Sequence, residues 1–409
     1  MASFHGKNLE DVQAMNRALI LHYLLGVEVS SRTLLANKSN LKQATLTKII
    51  SDFISWGLVE ETGLISKGVG RPTIGIRLRK EGYRVLCVRL SRNYVETAVM
   101  DLAGRIYDED RFEVDSRNEL AATVDLIIER LRGILARNPE ERFLGIGVAM
   151  PGPWVKEQQR LAYFTGFYKW QDIDIGKIME EALGLTVFVE QDANAALMAE
   201  GEFHSWAPSG ELVLLVMVGQ GIGAGIYSNG EILRGKLGIA GEIGHMSIAY
   251  EGIPCECGNV GCLERYASTT AVVERARALI GSRSTSLGPR CRIGEILAAY
   301  KEGDGLAVAV VDQAARYLGY ALASLTNVLN PGLIILGDEM SAAGEGYLRK
   351  VREAMGERVT PTVRESTELS LSSVEGNPFL LGIGHAVVEN CIKTPEVFAK
   401  AGGEWKRRG

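Results

Sequence analysis

The sequence predicts a winged helix-turn-helix head of about eighty residues followed by a two-lobed α/β body. Three observations predict it. Helical spacing, a tight turn and a β-prone hairpin succeed one another before residue 80. Beyond residue 83, hairpins and strand–helix alternations follow in two groups. Charge divides at the same place: residues 1–80 hold 11 Lys and Arg against 6 Asp and Glu, and the rest hold 34 against 44. A basic head on an acidic body suggests that only the head meets a polyanion.

The bulk numbers fit that plan. At 409 residues, with 46% apolar and 23% charged, the chain has room for two or three domains and a large core. No apolar run approaches the roughly 18–20 residues of a membrane span. The opening "MASFHGKNLED" lacks the apolar stretch of a signal peptide. Six cysteines, three of them clustered, argue against a disulfide scaffold and for a reducing compartment. A cytoplasmic protein without a membrane partner is expected.

In the head, "VQAMNRALILHYLLG" places Met15, Leu19, Leu21, Tyr23 and Leu24 near one helical face and stops at Gly26. "SSRTLLANKSN" offers Ser30 or Ser31 as the cap of a short helix. Asn40 falls where a tight turn needs a left-handed residue, a conformation Asn tolerates. "LKQATLTKIISDFISWG" then spaces Leu41, Ala44/Leu46, Ile49/Ile50 and Phe53/Ile54 helically, with Gly57 as the stop. Its polar face carries Lys42, Gln43, Thr45, Thr47 and Lys48. Gln and Thr hydrogen-bond base edges, and Lys neutralises phosphate. "LVEETGLISKGVGRPTIGIRLR" reads as a wing, with Arg71 on a loop stiffened by Pro72 and suited to a narrow minor groove. A DNA operator is the expected partner.

In the body, "YRVLCVRLSRNYVETAVMDLAGRIY" reads as strands joined by tight turns. A helix over "AATVDLIIERLRGILARN" and a buried strand at "FLGIGVAMPGPW" follow. "IGKIMEEALGLTVFVEQDANAALMAEGEF" gives helix, strand, polar loop and helix. "ELVLLVMVGQGIGAGIYSNGEIL" is a strand, a glycine-rich turn and a strand. "YLGYALASLTNVLNPGLIILGDEMS" is a helix, then a strand ending at Gly337. The expected domains are 1–80, 81–200 joined by a C-terminal helix at about 378–400, and 201–377. No short-period repeat is visible.

The densest chemistry lies in "GHMSIAYEGIPCECGNVGCLE". His245, Cys255, Cys257 and Cys262 form the pattern H-x9-C-x-C-x4-C. Three thiolates and one imidazole complete a tetrahedral zinc shell and leave no position for water, as in structural zinc. Gly258 and Gly261 let the chain fold tightly between the thiolates. Cys87, Cys291 and Cys391 stand apart and read as core residues. Glu242 and Glu264 bracket the knot, and ordered carboxylates there suit a polyhydroxyl ligand.

These residues resemble the ROK family of repressors, open reading frames and sugar kinases. "GEIGHM" with "CECGNVGCLE" matches its zinc signature, and "GVAMPGPW", "EQDANAA", "GQGIGAGI" and "LNPGLIILG" extend the resemblance over about residues 83–390. The winged helix is shared with the family's repressor branch. The resemblance implies an actin-like ATPase (ribonuclease H-like) body with its ligand between the lobes. It assigns Asp192 the position of the kinases' general base. It makes Glu242, His245 and Glu264 sugar-binding, His245 serving both metal and sugar. The kinases carry a sugar-binding Asn where this chain has Gln191.

The kinases' first phosphate hairpin reads D-x-G-G-T; here Arg89, Leu90, Ser91, Arg92 and Asn93 stand in its place. The second turn reads Gly219, Gln220, Gly221 and lacks the usual hydroxyl. Phosphoryl transfer needs permissive backbone and a metal-binding carboxylate there. The expectation is therefore a non-enzymatic repressor responding to a sugar or sugar phosphate, a homodimer or homotetramer. An ATP-dependent sugar kinase with a DNA-binding head is the alternative. Gating by a protein partner from sugar transport is a third reading.

Overall fold

A computed structural model describes residues 8–65, 72–115, 120–155, 158, 160–161, 173–203 and 212–401. In the head, Asn8 and Asp11 cap helix α1 (Leu9–Leu25) reciprocally, at 2.8 and 2.9 Å. Ser31 of β1 (Ser30–Ser31) accepts from the Leu34 N–H and starts α2 (Arg32–Ser39). Asn40 takes φ 55°, the left-handed turn its sequence position anticipates. Helix α3 (Gln43–Trp56) ends at Gly57, with φ 75°. Strands β2 (Val59–Ile65) and β3 (Thr73–Leu78) form an antiparallel hairpin, and β1 pairs with the outer side of β3. This is the element order expected of a winged helix-turn-helix.

Ile20, Leu21, Leu24, Leu35, Leu46, Ile50 and Phe53 form the head's buried core. Three expectations fail locally, one of them at Ile54, which is 38% exposed beside the buried Phe53. Met15 is 52% exposed because the first turns of α1 project beyond that core. Ala44 also faces solvent, and Leu46 alone makes that contact.

The body holds two five-stranded sheets. The first contains β4 (Arg84–Leu90), β5 (Tyr94–Asp101), β6 (Ile106–Glu113), β7 (Phe143–Met150) and β10 (Val187–Gln191). Its order is β10-β7-β4-β5-β6: an antiparallel meander with two parallel strands added beside β4. Helices α4 (Leu120–Arg137) and α5 (Ile175–Leu183) make the crossovers, and β8 (Trp154–Val155) and β9 (Arg160–Leu161) form a short ribbon between them. Helix α6 (Asp192–Phe203) follows β10 directly. The polar loop expected there does not exist, because Asp192 is already the first helical residue.

The second sheet contains β11 (Val213–Val218), β12 (Ile222–Ser228), β13 (Glu231–Ile232), β14 (Leu333–Gly337) and β15 (Glu368–Leu371). Its order is β15-β14-β11-β12-β13, again a meander with two parallel strands added beside the first. Between β11's hairpin and β14 lie α7 (Glu264–Ala267), α8 (Thr269–Leu279), α9 (Ile293–Lys301) and α10 (Gly305–Leu329). Helices α11 (Glu345–Gly356) and α12 (Pro361–Ser366) precede β15. Helix α13 (Pro378–Lys393) then returns to pack on α6 and on β7 and β4 of the first sheet. Among the described residues, no helix is long and apolar enough to cross a membrane.

The chain beyond α13 clasps the head to the body. Phe398 is 1% exposed and meets the Tyr83 ring edge-on at 5.2 Å. The Tyr83 hydroxyl lies 2.9 Å from the Trp56 carbonyl and 3.2 Å from that of Phe398. Arg17 of α1 pairs with Asp52 at 2.7 Å and with Glu396 at 3.1 Å. The head's core is thereby continuous with that of the first lobe. Phe398→Ala should cost about 3–5 kcal/mol of stability, the usual range for deleting a buried phenyl ring. Chemical denaturation measures it, and an unchanged midpoint would show that the clasp contributes nothing.

Candidate functional site

Strands β4, β7 and β10 run parallel to one another, as do β11 and β14. Open sheets gather ligand-facing groups just beyond the carboxyl ends of parallel strands. Here those ends deliver Arg89 from β4, the Pro151–Pro153 loop from β7, Gln191 and Asp192 from β10, and Asp338 from β14. The β11–β12 turn supplies Gln220 and Gly221. Glu242, His245 and Glu264 complete one cleft between the sheets. Every residue expected to touch a ligand, namely Gln191, Asp192, Glu242, His245 and Glu264, lines this cleft.

The side chains are linked. Gln191 Nε2 donates to Glu242 Oε1 at 2.6 Å. The other Glu242 oxygen lies 3.8 Å from His245 Nε2, and His245 Nδ1 lies 4.0 Å from Glu264 Oε1. Burial pushes the Glu242 carboxyl up to about 7, the charge of Asp192 adds to this, and the Gln191 amide opposes it. Burial likewise raises Asp192 to about 6, against the pull of Arg89 and of the Ala193 N–H at 2.7 Å.

The four expected metal ligands come together. One donor atom from each of His245, Cys255, Cys257 and Cys262 lies within 4.8 Å of the others. The Sγ atoms of Cys257 and Cys262 are 3.7 Å apart, and Cys255 Sγ is 3.9 Å from His245 Nδ1. A tetrahedral shell with bonds near 2.3 Å has edges of about 3.8 Å, the separation these two pairs show, so the donor set is one that could hold a metal. Burial raises the Cys255 thiol to about 12, so a cation is needed to draw off its proton. Nδ1 is the ring nitrogen on the sulfur side, which leaves Nε2 directed at Glu242. At Gly261, φ is +74° and an added Cβ would lie 1.8 Å from the Ala249 carbonyl oxygen, so only glycine closes the knot. Cys87, Cys291 and Cys391 are buried and free, as expected of core residues.

Sequence reasoning named Arg89 but missed its partners and two other participants, Asn259 and Asp338. Asn259 donates to the His245 carbonyl at 3.1 Å and to Cys262 Sγ at 3.4 Å. Arg89 pairs with Glu96 at 3.3 Å and lies over the Phe379 ring, 3.3 Å from its centroid. Asn377, which caps α13, donates to the same Glu96 oxygen at 2.8 Å. Asp338 holds φ 65° just past β14, and its carboxylate presses on Gly219 so closely that an added Cβ would sit 2.2 Å from Oδ2. Only the quoted run "LIILGDEMS" gave any signal for Asp338, and nothing linked Glu96 to Asn377 across 281 residues.

On the head, Lys42, Gln43, Thr45, Thr47 and Lys48 all face solvent at the start of α3. Thr47 Oγ1 donates to the Gln43 carbonyl at 2.9 Å, so it meets a partner mainly as an acceptor. Arg71 lies outside the described residues.

Comparison with known proteins agrees with this geometry. The ROK family model matches residues 85–385. A xylose repressor of Caldicellulosiruptor bescii is 26% identical over 94% of this chain and 98% of its own length. A ROK family transcriptional regulator, a homologue of the Escherichia coli MLC protein, superposes with a TM-score of 0.81 at 26% identity, covering 95% of this chain and all of that one. A ROK glucokinase from Streptomyces griseus, solved with glucose and AMPPNP, shares the fold of the body, with a TM-score of 0.67 at 24% identity over 74% of this chain and 98% of its own.

Two outcomes are expected at this site. Cys257→Ser should lose bound metal and lower the melting temperature; elemental analysis beside a thermal melt checks both, and a metal content equal to the parent's would break the ligand set. Asp192 titrates near 6 in the folded chain and at 3.8 ordinarily, so its neutral form is favoured by folding. That contribution is complete below about pH 4 and is lost as pH rises through about 6. Asp192→Asn should therefore stabilise the ligand-free protein by on the order of 1–2 kcal/mol at about pH 8 and by nothing near pH 4. Denaturant melts at the two pH values check this; a gain independent of pH would refute it.

Proposed function

The chain belongs to the ROK family, and on that premise we propose that it is a cytoplasmic, DNA-binding transcriptional repressor whose body senses a sugar or sugar phosphate. The head over 1–80 is the DNA reader, with Lys42, Gln43, Thr45, Thr47, Lys48 and Arg71 as contacts. The lobes are 81–200 with the C-terminal helix, and 201–377. Gln191, Asp192, Glu242, His245 and Glu264 hold the ligand. Zinc suits the three-thiolate, one-imidazole set, and with no open coordination position its role is structural. It would fix His245 through Nδ1, so that Nε2 and Glu242 stand still for a ligand's hydroxyls. Two heads in a homodimer match the half-site geometry of helix-turn-helix readers.

The observation that carries the reading is Arg89. Its guanidinium pairs with Glu96 and covers Phe379 where a kinase keeps a metal-binding carboxylate and open backbone. The retained Asp192 favours the rival reading, a sugar kinase. As a hydroxyl acceptor, Asp192 serves binding equally well.

The same contacts offer a route from cleft to head. Arg89, Glu96 and Asn377 hold the start of α13, and Glu396 and Phe398, just past its end, hold Arg17 and Tyr83. A ligand that binds one lobe closure more tightly shifts the population of α13 positions and so the spacing of the two heads. Lys48→Ala should weaken binding to a random-sequence duplex and reduce the slope of log K against log salt by about 1, while sugar affinity stays unchanged. Fluorescence anisotropy across a salt series measures it, and an unaltered slope would remove the start of α3 from the DNA interface.

A further inference from the structure

Two successive residues at the end of β10 reach across from the first sheet to the second lobe. Gln191 Nε2 donates to Glu242 Oε1 at 2.6 Å. Its neighbour Glu190 takes Arg234, whose Nε and Nη2 lie 3.2 and 2.7 Å from one carboxylate oxygen, Oε2. We infer that the Glu190–Arg234 pair is a latch between the lobes that sets how far the cleft closes and so holds Gln191 against Glu242. The latch is a property of the body and depends on no particular ligand.

Glu190 is the fixed half. It is 8% exposed, and its second oxygen accepts the Gln191 N–H at 3.2 Å and the Asn194 amide at 3.0 Å. These bonds tie the carboxylate to the end of β10 and the first turn of α6, so it does not follow the arginine when the lobes part. A carboxylate so buried is costly without its cation. Arg234 is the releasable half: its side chain is 31% exposed, and a guanidinium can return to water.

Arg234 moves with the second sheet. It lies two residues past β13, donates from Nη1 to the Ile232 carbonyl at 3.4 Å, and accepts the Ala240 N–H on its own carbonyl at 3.0 Å. The loop so closed runs directly into Gly241 and Glu242. The Gly241 carbonyl accepts the Ala224 N–H of β12 at 2.8 Å, and with φ at +101° an added Cβ there would lie 1.9 Å from the Ala224 carbonyl oxygen. Arg234 and Glu242 are thereby carried on β12 as one piece. Where β12 meets α6 of the first lobe, the contact is smooth. A Cβ at Gly225 would come within 2.7 Å of the Ala193 carbonyl oxygen and 2.8 Å of Leu197 Cβ. Backbone packed on small side chains permits a small rotation and fixes no angle. The charged pair beside it supplies the directional hold.

Hydroxyl-radical footprinting with mass spectrometry on the full-length, ligand-free protein tests the latch. Met217 lines the cleft and is 5% exposed, whereas Met100 and Met355 lie in the cores of the two lobes at 0% and 4%. Arg234→Ala is expected to raise Met217 oxidation about three-fold or more as the open form becomes common, with Met100 and Met355 unchanged. Glu190→Gln keeps an acceptor for Gln191 and Asn194 and is expected to match it, and the double variant to exceed neither. Arg234→Lys keeps a cation within reach and is expected to return most of the protection. Parental oxidation of Met217 in Arg234→Ala overturns the latch. A rise shared by Met100 and Met355 does the same, since it marks general loosening, and so do single effects that add in the double variant. Should Glu190→Gln fail to fold, the two Arg234 variants decide alone.

Discussion

One largely buried guanidinium holds the centre of this molecule together. Arg89 stands at the end of β4 and pairs with Glu96 on β5. Burial raises the carboxyls of Asp192 and Asp338, on opposite sides of the cleft, and the Arg89 charge opposes that rise at both. Without a cation there, three largely buried acids would face one another, and removing one partner of a buried ion pair typically costs several kcal/mol. The Phe379 ring fixes the guanidinium from below and ties this charge cluster to α13. In a ROK kinase the corresponding region must stay open for nucleotide. In this chain the Arg89 side chain lies there, packed on the Phe379 ring.

The metal knot and the clasp play complementary parts around that centre. The knot is local: four ligands within eighteen residues, with Asn259 and Gly261 shaping the loop. It presents His245 and Glu242 to the cleft at fixed distance. The clasp is remote. It uses the last described turn of the chain, through Glu396 and Phe398, to hold α1 and the start of the first sheet. Between the two runs α13, whose start packs on Arg89 of the cleft wall and whose far end leads into the clasp. A rigid helix with both ends anchored transmits a shift better than a flexible linker would.

Much of the head was legible because local chemistry governs it. Ser31, Asn40 and Gly57 end or start helices through their own backbone preferences, and each does so in the fold. The exceptions are instructive. Met15 has helical spacing, but the buried face of α1 starts a turn later, at Ile20, and a face is buried only where something covers it. The string "EQDANAA" reads as loop because its residues are polar, yet β10 runs straight into α6. An aspartate on the first helical turn is favoured by the exposed N–H groups there, and Asp192 accepts one from Ala193.

The sequence by itself determined the head's elements, the four residues of the knot that could hold a metal and the five residues that line the cleft beside it. Spacing and residue type act over a few residues, so they can be read in order along the chain. Only the tertiary structure decided the matched strand orders of the two sheets, which leave no repeat in the sequence because pairing constrains alternation and length rather than identity. It also decided that Glu96, Asp338, Asn377 and Phe379 surround Arg89. Those partners lie as far as 290 residues away along the chain. Their meeting depends on the crossing of α13 over the first sheet, a consequence of global packing that no local pattern encodes.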